Sequence, residues 1–182
     1  MNRKLLITFA AALLSSFSVS HADAAGGLYV GAGVGQSTIK ADTGSGSFDA
    51  SDTAYKAFVG YRFNLIPIID LAAEAGYTDF GKPSESVGGQ NVQFKLHGPD
   101  AAGLLIFPLG PLDFYGKVGI LSWSLDASGA GTSSSKTGTD PFYGVGIGFQ
   151  IWKIGVRGEY EYYKIKDIDR VQMYSLSALF QF

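Results

Sequence analysis

The sequence of 182 residues contains no cysteine. Without thiols the chain has no disulfide framework, no cysteine-ligated zinc site and no cysteine nucleophile. Charged residues make up only 16% of the chain, and the 14 basic and 16 acidic residues nearly balance. This balance argues against a nucleic-acid-binding protein, so we expect no nucleic-acid partner.

Long apolar runs are also scarce. After the amino terminus, the apolar run at residues 101–112 is short and is interrupted by Pro108 and Pro111. A membrane-spanning helix needs about 20 predominantly apolar residues. If this chain spans a membrane, it must therefore do so as a closed β-barrel, the other structure that satisfies its backbone hydrogen bonds in lipid.

The amino terminus has the three-part order of a secretory signal. Arg3 and Lys4 precede an apolar stretch at residues 5–19, and small residues follow it. The stretch is shorter than a spanning helix, which leaves a buried first helix as the alternative. We expect residues 1–24 to be a signal peptide, cleaved after position 22 or 24, and residues 25–182 to form one domain.

Glycine and aromatic residues are abundant, with 25 Gly, 13 Phe, 10 Tyr and 2 Trp. Such residues suit strands with an apolar face joined by tight turns. Eight segments alternate with the period of two that is typical of strands. They are residues 28–36, 54–63, 69–78, 92–107, 112–124, 142–151, 154–163 and 171–182.

The last segment is the most regular of the eight. Its one face carries Tyr174, Leu176, Ala178, Phe180 and Phe182. Two terminal phenylalanines add little stability to a strand whose face is exposed to water, whereas each adds stability to a strand whose outer face contacts lipid. The eight segments therefore predict an all-β protein, an eight-stranded antiparallel up-and-down transmembrane β-barrel.

The predicted connections alternate between short and long. The long ones are polar and span residues 37–53, 79–91, 125–141 and 164–170. Up-and-down barrels of outer membranes have short periplasmic turns and longer external loops. We expect both termini on the periplasmic side and mobile loops on the outside.

An eight-stranded barrel has room inside for side chains but not for a wide aqueous channel. Charges in such a lumen are costly unless they are paired, so we expect a network of ion pairs. The predicted inward residues are Lys56, Arg62, Lys95, Lys117, Arg157, Asp70, Glu74, Asp113, Glu159 and Glu161. Glu74 is expected to pair with Lys117 or Arg157. Arg62 is expected to pair with Asp70 or Asp113.

Three features interrupt the regular pattern. Gly98 and Pro99 fall inside the fourth segment and predict a bulge or kink. Trp123 at the end of the fifth segment suits an aromatic girdle at a membrane interface. His97, the only histidine after residue 24, is expected to be a lumen or kink residue that is hydrogen-bonded to its neighbours.

Candidate catalytic and cofactor sites are few. The glycines of residues 31–35 and 144–148 lie inside strands, whereas a nucleotide loop needs a strand before it and a helix after it. His97 could serve as a general base only with a partner such as Glu85 or Ser86 within reach. We expect no catalytic residue, no cofactor and no metal.

Several short motifs resemble one known family. Gly-Tyr-Arg-Phe at 60–63, Phe-Pro-Leu at 107–109, Tyr-Gly-Lys-Val-Gly at 115–119 and Arg-Gly-Glu-Tyr at 157–160 are similar to the small OmpA-like outer-membrane β-barrels of Gram-negative bacteria. The resemblance implies an outer-membrane location, contact with its lipid, and lumen salt-bridge positions for Glu74, Lys117 and Arg157. No periplasmic peptidoglycan-binding domain is expected after the barrel.

The carboxy terminus resembles the signal that the barrel-insertion machinery reads in that family. Ser175, Ser177, Phe180 and Phe182 stand at the positions of this signal, with Ser177 where glycine is usual. The resemblance thus implies that the insertion machinery is a partner of this strand.

Three functions remain as hypotheses. The first is a monomeric barrel with a structural or surface-interaction role and no enzymatic activity. The second is a narrow pore or carrier for small or hydrophobic molecules. The third is a membrane enzyme that modifies lipid A through His97.

Overall fold

A computed structural model describes the backbone of residues 26–43, 46–81, 84–87, 90–129, 132–166 and 170–182. The predicted signal peptide and its cleavage sites lie outside the described residues. The described part of the chain forms nine strands. They are β1 Gly27–Thr43, β2 Gly46–Ile66, β3 Ile69–Asp79, β4 Ser84–Val87, β5 Gln90–Leu109, β6 Leu112–Gly129, β7 Thr132–Ile151, β8 Ile154–Tyr163 and β9 Arg170–Gln181.

The strands form one antiparallel sheet that closes on itself. The hydrogen-bonded order is β3-β2-β1-β9-β8-β7-β6-β5-β4, and β3 also pairs with β5. The short β4 pairs only with the start of β5, so eight strands make the closed wall. The predicted eight-stranded antiparallel barrel is confirmed, and the terminal strand β9 pairs with β1. No helix in the described ranges is long and apolar enough to cross a membrane.

The two ends of the barrel differ. Turns at residues 67–68, 110–111 and 152–153 join strands at one end, which we call the short-turn end. Gly26 and Phe182 lie at this end, because Phe182 N–H donates to the Leu28 carbonyl and the β1–β9 ladder starts beside it. The opposite end, where β1, β2, β5, β6 and β7 extend furthest, is the long-strand end.

Two predicted loop bounds are wrong. Residues 37–53 and 125–141 are mostly paired strand, because β1 pairs with β2 up to Thr43 and Gly46, and β6 pairs with β7 up to Gly129 and Thr132. Polar composition indicated loops here. The antiparallel ladder overrides that indication because it satisfies the backbone N–H and C=O groups of both strands.

The outer wall carries the apolar band that the alternation predicts. Most of the large hydrophobic side chains that are exposed lie on alternate, outward positions of the strands. They include Val34, Tyr55, Val59, Tyr61, Leu71, Tyr77, Leu105, Val118, Tyr143, Val145, Val156, Tyr174, Leu176 and Phe180. Tyr160 and Tyr174, on the neighbouring strands β8 and β9, pack with ring centroids 4.8 Å apart.

The interior changes character along the barrel axis. Near the short-turn end and in the middle it is charged, whereas toward the long-strand end it is apolar. Buried members of this apolar cluster are Ile39, Phe80, Leu96, Leu121, Trp123, Phe142, Tyr163, Ile165, Val171 and Met173. Phe80 and Phe142 both pack against the Tyr163 ring, with centroids 4.8 and 5.0 Å away.

The bulge predicted at Gly98 and Pro99 is wrong. β5 keeps the same register with β6 on both sides of them, from His97 opposite Ser124 to Asp100 opposite Leu121. On the other side, both residues pair with β3. A Cβ atom on Gly98 would overlap the Ser122 carbonyl oxygen, so glycine lets β5 and β6 approach closely here.

An uninterrupted β5 reverses the predicted direction of two side chains. Leu96 is fully buried inside, and the alternation then places Lys95 and His97 on the outer face. The His97 ring lies 6.1 Å from the outward ring of Tyr77. Lys95 Nζ lies 3.8 Å from Asp79 Oδ2, with both side chains about a third exposed, so Lys95 is not a lumen residue.

The predicted girdle position of Trp123 is also wrong. Trp123 is 5% exposed and faces inward, where its indole N–H donates to Asp140 Oδ2 over 2.8 Å. Outward positions at this level carry polar residues such as Ser122 and Thr139, whose hydroxyls lie 3.1 Å apart. Because that part of the wall is polar outside, the apolar indole is more stable inside.

Substitution of Gly98 tests the close approach of β5 and β6. Gly98→Val is expected to destabilise the barrel by about 3 kcal/mol, because the new side chain overlaps backbone atoms. Gly103→Val is the matched control, since nothing lies within 4 Å of a Cβ atom there. Urea unfolding in lipid vesicles and heat-modifiable gel mobility provide the measurement. Equal stability of the two variants would contradict the register described above.

Candidate functional site

The centre of the lumen holds three carboxylates and three cations. Glu74 comes from β3, Glu159 and Glu161 from β8, and the cations from β2, β6 and β8. Alternation on each strand directs these side chains inward at the same level of the barrel. We call this set the central network: Lys56, Glu74, Lys117, Arg157, Glu159 and Glu161.

Lysines join the carboxylates across the lumen. Lys56 Nζ lies 2.9 Å from Glu159 Oε2 and 2.8 Å from Glu161 Oε2. Lys117 Nζ lies 2.9 Å from Glu74, 3.5 Å from Glu159 and 3.2 Å from Glu161. One ammonium thus holds carboxylates from opposite walls of the barrel.

Arg157 completes the network on the Glu74 side. Its guanidinium donates to Glu74 Oε1, which also accepts a hydrogen bond of 2.7 Å from the Tyr29 hydroxyl. Arg157 also lies over the Phe58 and Tyr115 rings, at 5.2 and 4.9 Å from their centroids. Aromatic faces add cation–π attraction to the ion pairs.

Burial makes this pairing obligatory. The side chains of the three carboxylates are 1% exposed, and those of Lys56, Lys117 and Arg157 are 4%, 2% and 8% exposed. An unpaired charge in such a site costs several kcal/mol, so equal numbers of cations and carboxylates are required for stability.

Small inward residues make room for the large ones. A Cβ atom on Gly60 would overlap the Tyr29 ring, and one on Gly146 would overlap the Tyr115 ring. Gly31 lies against Phe58 in the same way. These inward glycines of β1, β2 and β7 are therefore packing residues of the lumen.

A second cluster lies toward the short-turn end. The Arg62 guanidinium donates to both carboxylate oxygens of Asp113, over 2.8 and 3.0 Å, and its Nε–H donates to Asp70 over 2.8 Å. The Arg62 and Asp113 side chains are 15% and 16% exposed. This cluster is therefore closer to solvent than the central network.

Sequence reasoning missed some polar contacts of the interior. The Asp140 carboxylate accepts from the Trp123 indole and, over 3.2 Å, from the backbone N–H of Lys166. Thr78 donates to Asp100 over 2.9 Å. The alternation of β6 could have predicted the inward position of Trp123, because it places Trp123 on the same face of the strand as Lys117.

In the part of the chain that the structure describes, no acid or nucleophile is hydrogen-bonded to His97 Nδ1. Its Nδ1 is buried without a hydrogen-bond partner among the described residues. The side chains of the two candidate partners, Glu85 and Ser86, lie outside the described residues. Their backbone pairs with Val92 and Asn91, five and six residues along β5, roughly 16–20 Å from His97 at the rise of a strand.

The residues of the predicted assembly signal divide between the two faces of β9. Ser175 and Ser177 are buried inward at 8% and 2% exposure, and Phe180 and Phe182 are exposed outward. No three His, Asp or Glu side chains in the described ranges are arranged to hold a metal ion.

Loss of Glu74 tests how strongly the barrel depends on the central network. Glu74→Gln keeps the shape but leaves Lys117 and Arg157 without this charge, which is expected to cost about 3–5 kcal/mol. Urea unfolding in vesicles measures the free energy of unfolding.

Asp79→Asn is the matched control for that change. It removes a carboxylate that is about a third exposed and keeps the oxygen that accepts from Gly81 N–H, so a loss of about 1 kcal/mol or less is expected. Similar losses for Glu74→Gln and Asp79→Asn would show that the central network is not needed for stability.

Comparisons with known proteins agree with the fold. Residues 9–182 match the family model described as outer membrane protein beta-barrel domain. Ail, the attachment invasion locus protein of Yersinia pestis, solved with the heparin analogue sucrose octasulfate, is 23% identical with a TM-score of 0.62. That alignment covers 87% of this chain and 100% of Ail.

Two further solved barrels are similar in fold. Neisserial surface protein A is 20% identical with a TM-score of 0.65, over 87% of this chain and 100% of that chain. The N-terminal β-barrel domain of Pseudomonas aeruginosa OprF is 16% identical with a TM-score of 0.54, over 86% and 99%. Comparison with curated proteins gave no match. Because the family match spans the whole barrel, the chain belongs to the outer membrane protein beta-barrel domain family and is an integral β-barrel protein of the Gram-negative outer membrane.

Proposed function

We propose that this protein is a non-enzymatic outer-membrane barrel with a structural or surface-interaction role, which presents its long-strand end to the outside. The observation that carries the proposal is a lumen filled by side chains. The central network occupies the middle, with every side chain at most 8% exposed, and the apolar cluster occupies the space beyond it. Neither layer leaves the wide aqueous path that a porin needs.

The geometry of the histidine supports a role without catalysis. A general base must lie within hydrogen-bond reach of its proton donor or be oriented by an acid. His97 lies on the outer face, and no described side chain accepts or donates at its Nδ1. This arrangement gives the lipid-modifying hypothesis no support.

The similar proteins support a role at the surface. Ail carries the name attachment invasion locus protein, and the Neisserial relative is a surface protein. Ail was solved with a sulfated sugar, which is a polyanion. On this chain the segments beyond the lumen network, residues 37–53, 79–100, 125–141 and 164–170, carry ten acidic and seven basic residues. This acidic excess does not favour a strongly anionic partner.

Export and assembly belong to the same proposal. Residues 1–24 are a cleaved signal peptide, and residues 25–182 are the barrel domain of a monomer that needs no cofactor. The insertion machinery reads the carboxy-terminal strand through Ser175, Ser177, Phe180 and Phe182. Outward phenylalanines and inward serines on β9 support this assignment.

Conductance tests the filled lumen. Wild-type protein in planar lipid bilayers is expected to show no steady conductance, because the central network and the apolar cluster fill the lumen. Lys117→Ala is the comparison, since it removes the ammonium that joins carboxylates on opposite walls. A steady open level in the wild type would establish a pore instead, and insertion is verified by heat-modifiable mobility of the recovered protein.

Incubation with lipid A tests the enzymatic alternative. Mass spectrometry of lipid A after incubation with the folded protein is expected to show no mass change. His97→Ala is the control variant, because any change that disappears in this variant would identify a His97-dependent reaction and overturn the proposal.

A further inference from the structure

A cup opens at the short-turn end of the barrel, which the orientation in the proposed function directs toward the periplasm. Its volume is about 440 Å³. Apolar walls come from the turns, whereas the floor is formed by the Arg62 cluster and by the amides of Asn64, Gln150 and Gln181. A concave apolar site with a few converging polar groups is the usual form of a ligand site.

The side chains that line the cup carry a net charge of −1. One guanidinium, that of Arg62, faces the two carboxylates of Asp70 and Asp113. Lys153 on the β7–β8 turn is exposed, and among the described residues it forms no ion pair with either aspartate. The charge therefore remains available to a cation that enters the cup.

An unpartnered polar group lies just beneath this floor. A narrow space of about 30 Å³ shares Arg62, Asp113, Gln150 and Gln181 with the cup and is also lined by Tyr115. Tyr115 is only 5% exposed, and its hydroxyl has no hydrogen-bond partner among the described residues. A phenolic oxygen can accept a hydrogen bond from an ammonium or guanidinium group.

The rim of the cup holds an aromatic residue in an unfavourable backbone conformation. Trp152 has a φ of 57° and is 80% exposed. In the corresponding two-residue turn between β5 and β6, the same position is Gly110 with a φ of 66°. Such a conformation strains a bulky residue, so the geometry of the turn does not explain why a tryptophan stands at this position.

We propose that the cup binds a lysine or arginine side chain presented by a periplasmic polypeptide. The methylene stem would lie against Ile66, Pro67 and Pro111, and the cation would reach the Asp113 carboxylate. The Trp152 indole would add cation–π attraction. An anionic group is disfavoured by the negative floor, and a bare acyl chain would leave the floor amides without partners.

Titration with small probes tests this site. Nitrogen-15-labelled protein in lipid nanodiscs is titrated with N-acetyl-lysine methylamide. N-acetyl-norleucine methylamide, which has a similar stem and no charge, is the control probe. The Trp152 indole signal is expected to shift in a saturable way with the lysine probe. The Trp123 indole, buried toward the opposite end, is expected not to move.

Two variants test the charge of Asp113 and the contact with Trp152 separately. In both variants binding is followed by the backbone amide signal of Gly110, which also lines the cup. Asp113→Asn is expected to weaken binding of the lysine probe about fivefold. Trp152→Gly is expected to fold at least as well as the wild type, because glycine suits the turn, and to weaken binding as well. No saturable shift, equal shifts from the norleucine probe, or unchanged binding in Trp152→Gly would each overturn the proposal.

Discussion

The pairing of charges inside a narrow closed sheet is the constraint on which the rest of this structure depends. Three carboxylates and three cations meet at one level of the lumen, where the carboxylates are 1% exposed. Since each unpaired charge would cost several kcal/mol, the strands that carry them must hold a fixed register. Lys117 is central because it contacts carboxylates from β3 and β8, on opposite sides of the barrel.

The distribution of apolar and polar side chains between the two faces of the wall reverses along the barrel axis. In the middle of the wall, apolar residues face outward to lipid and charged residues face inward. Toward the long-strand end, Ser122 and Thr139 face outward and Trp123 and Phe142 face inward. The same chain is thus a membrane barrel over part of its length and a water-exposed barrel with an apolar core over the remainder.

Alternation in the sequence was a reliable guide where strands are regular and a poor one where the environment changes. It indicated the strand assignment, the outward face of β9 and the inward positions of Glu74, Lys117 and Arg157. It gave the wrong side for Lys95 and His97 because Gly98 and Pro99 suggest a bulge that the register does not contain. Polar composition likewise suggested loops at residues 37–53 and 125–141, where extended pairing satisfies the backbone instead.

The sequence by itself determined that the chain is built from eight membrane-wall strands, because a period of two and an aromatic terminal strand depend only on local order. Which charges meet depended on closure and register, which bring β2, β3, β6 and β8 around one lumen. Only the tertiary structure decided where the wall leaves the lipid, as seen in Trp123. It also decided how the Arg62 cluster, the turns and Trp152 converge on one cup, because residues far apart in the chain meet there.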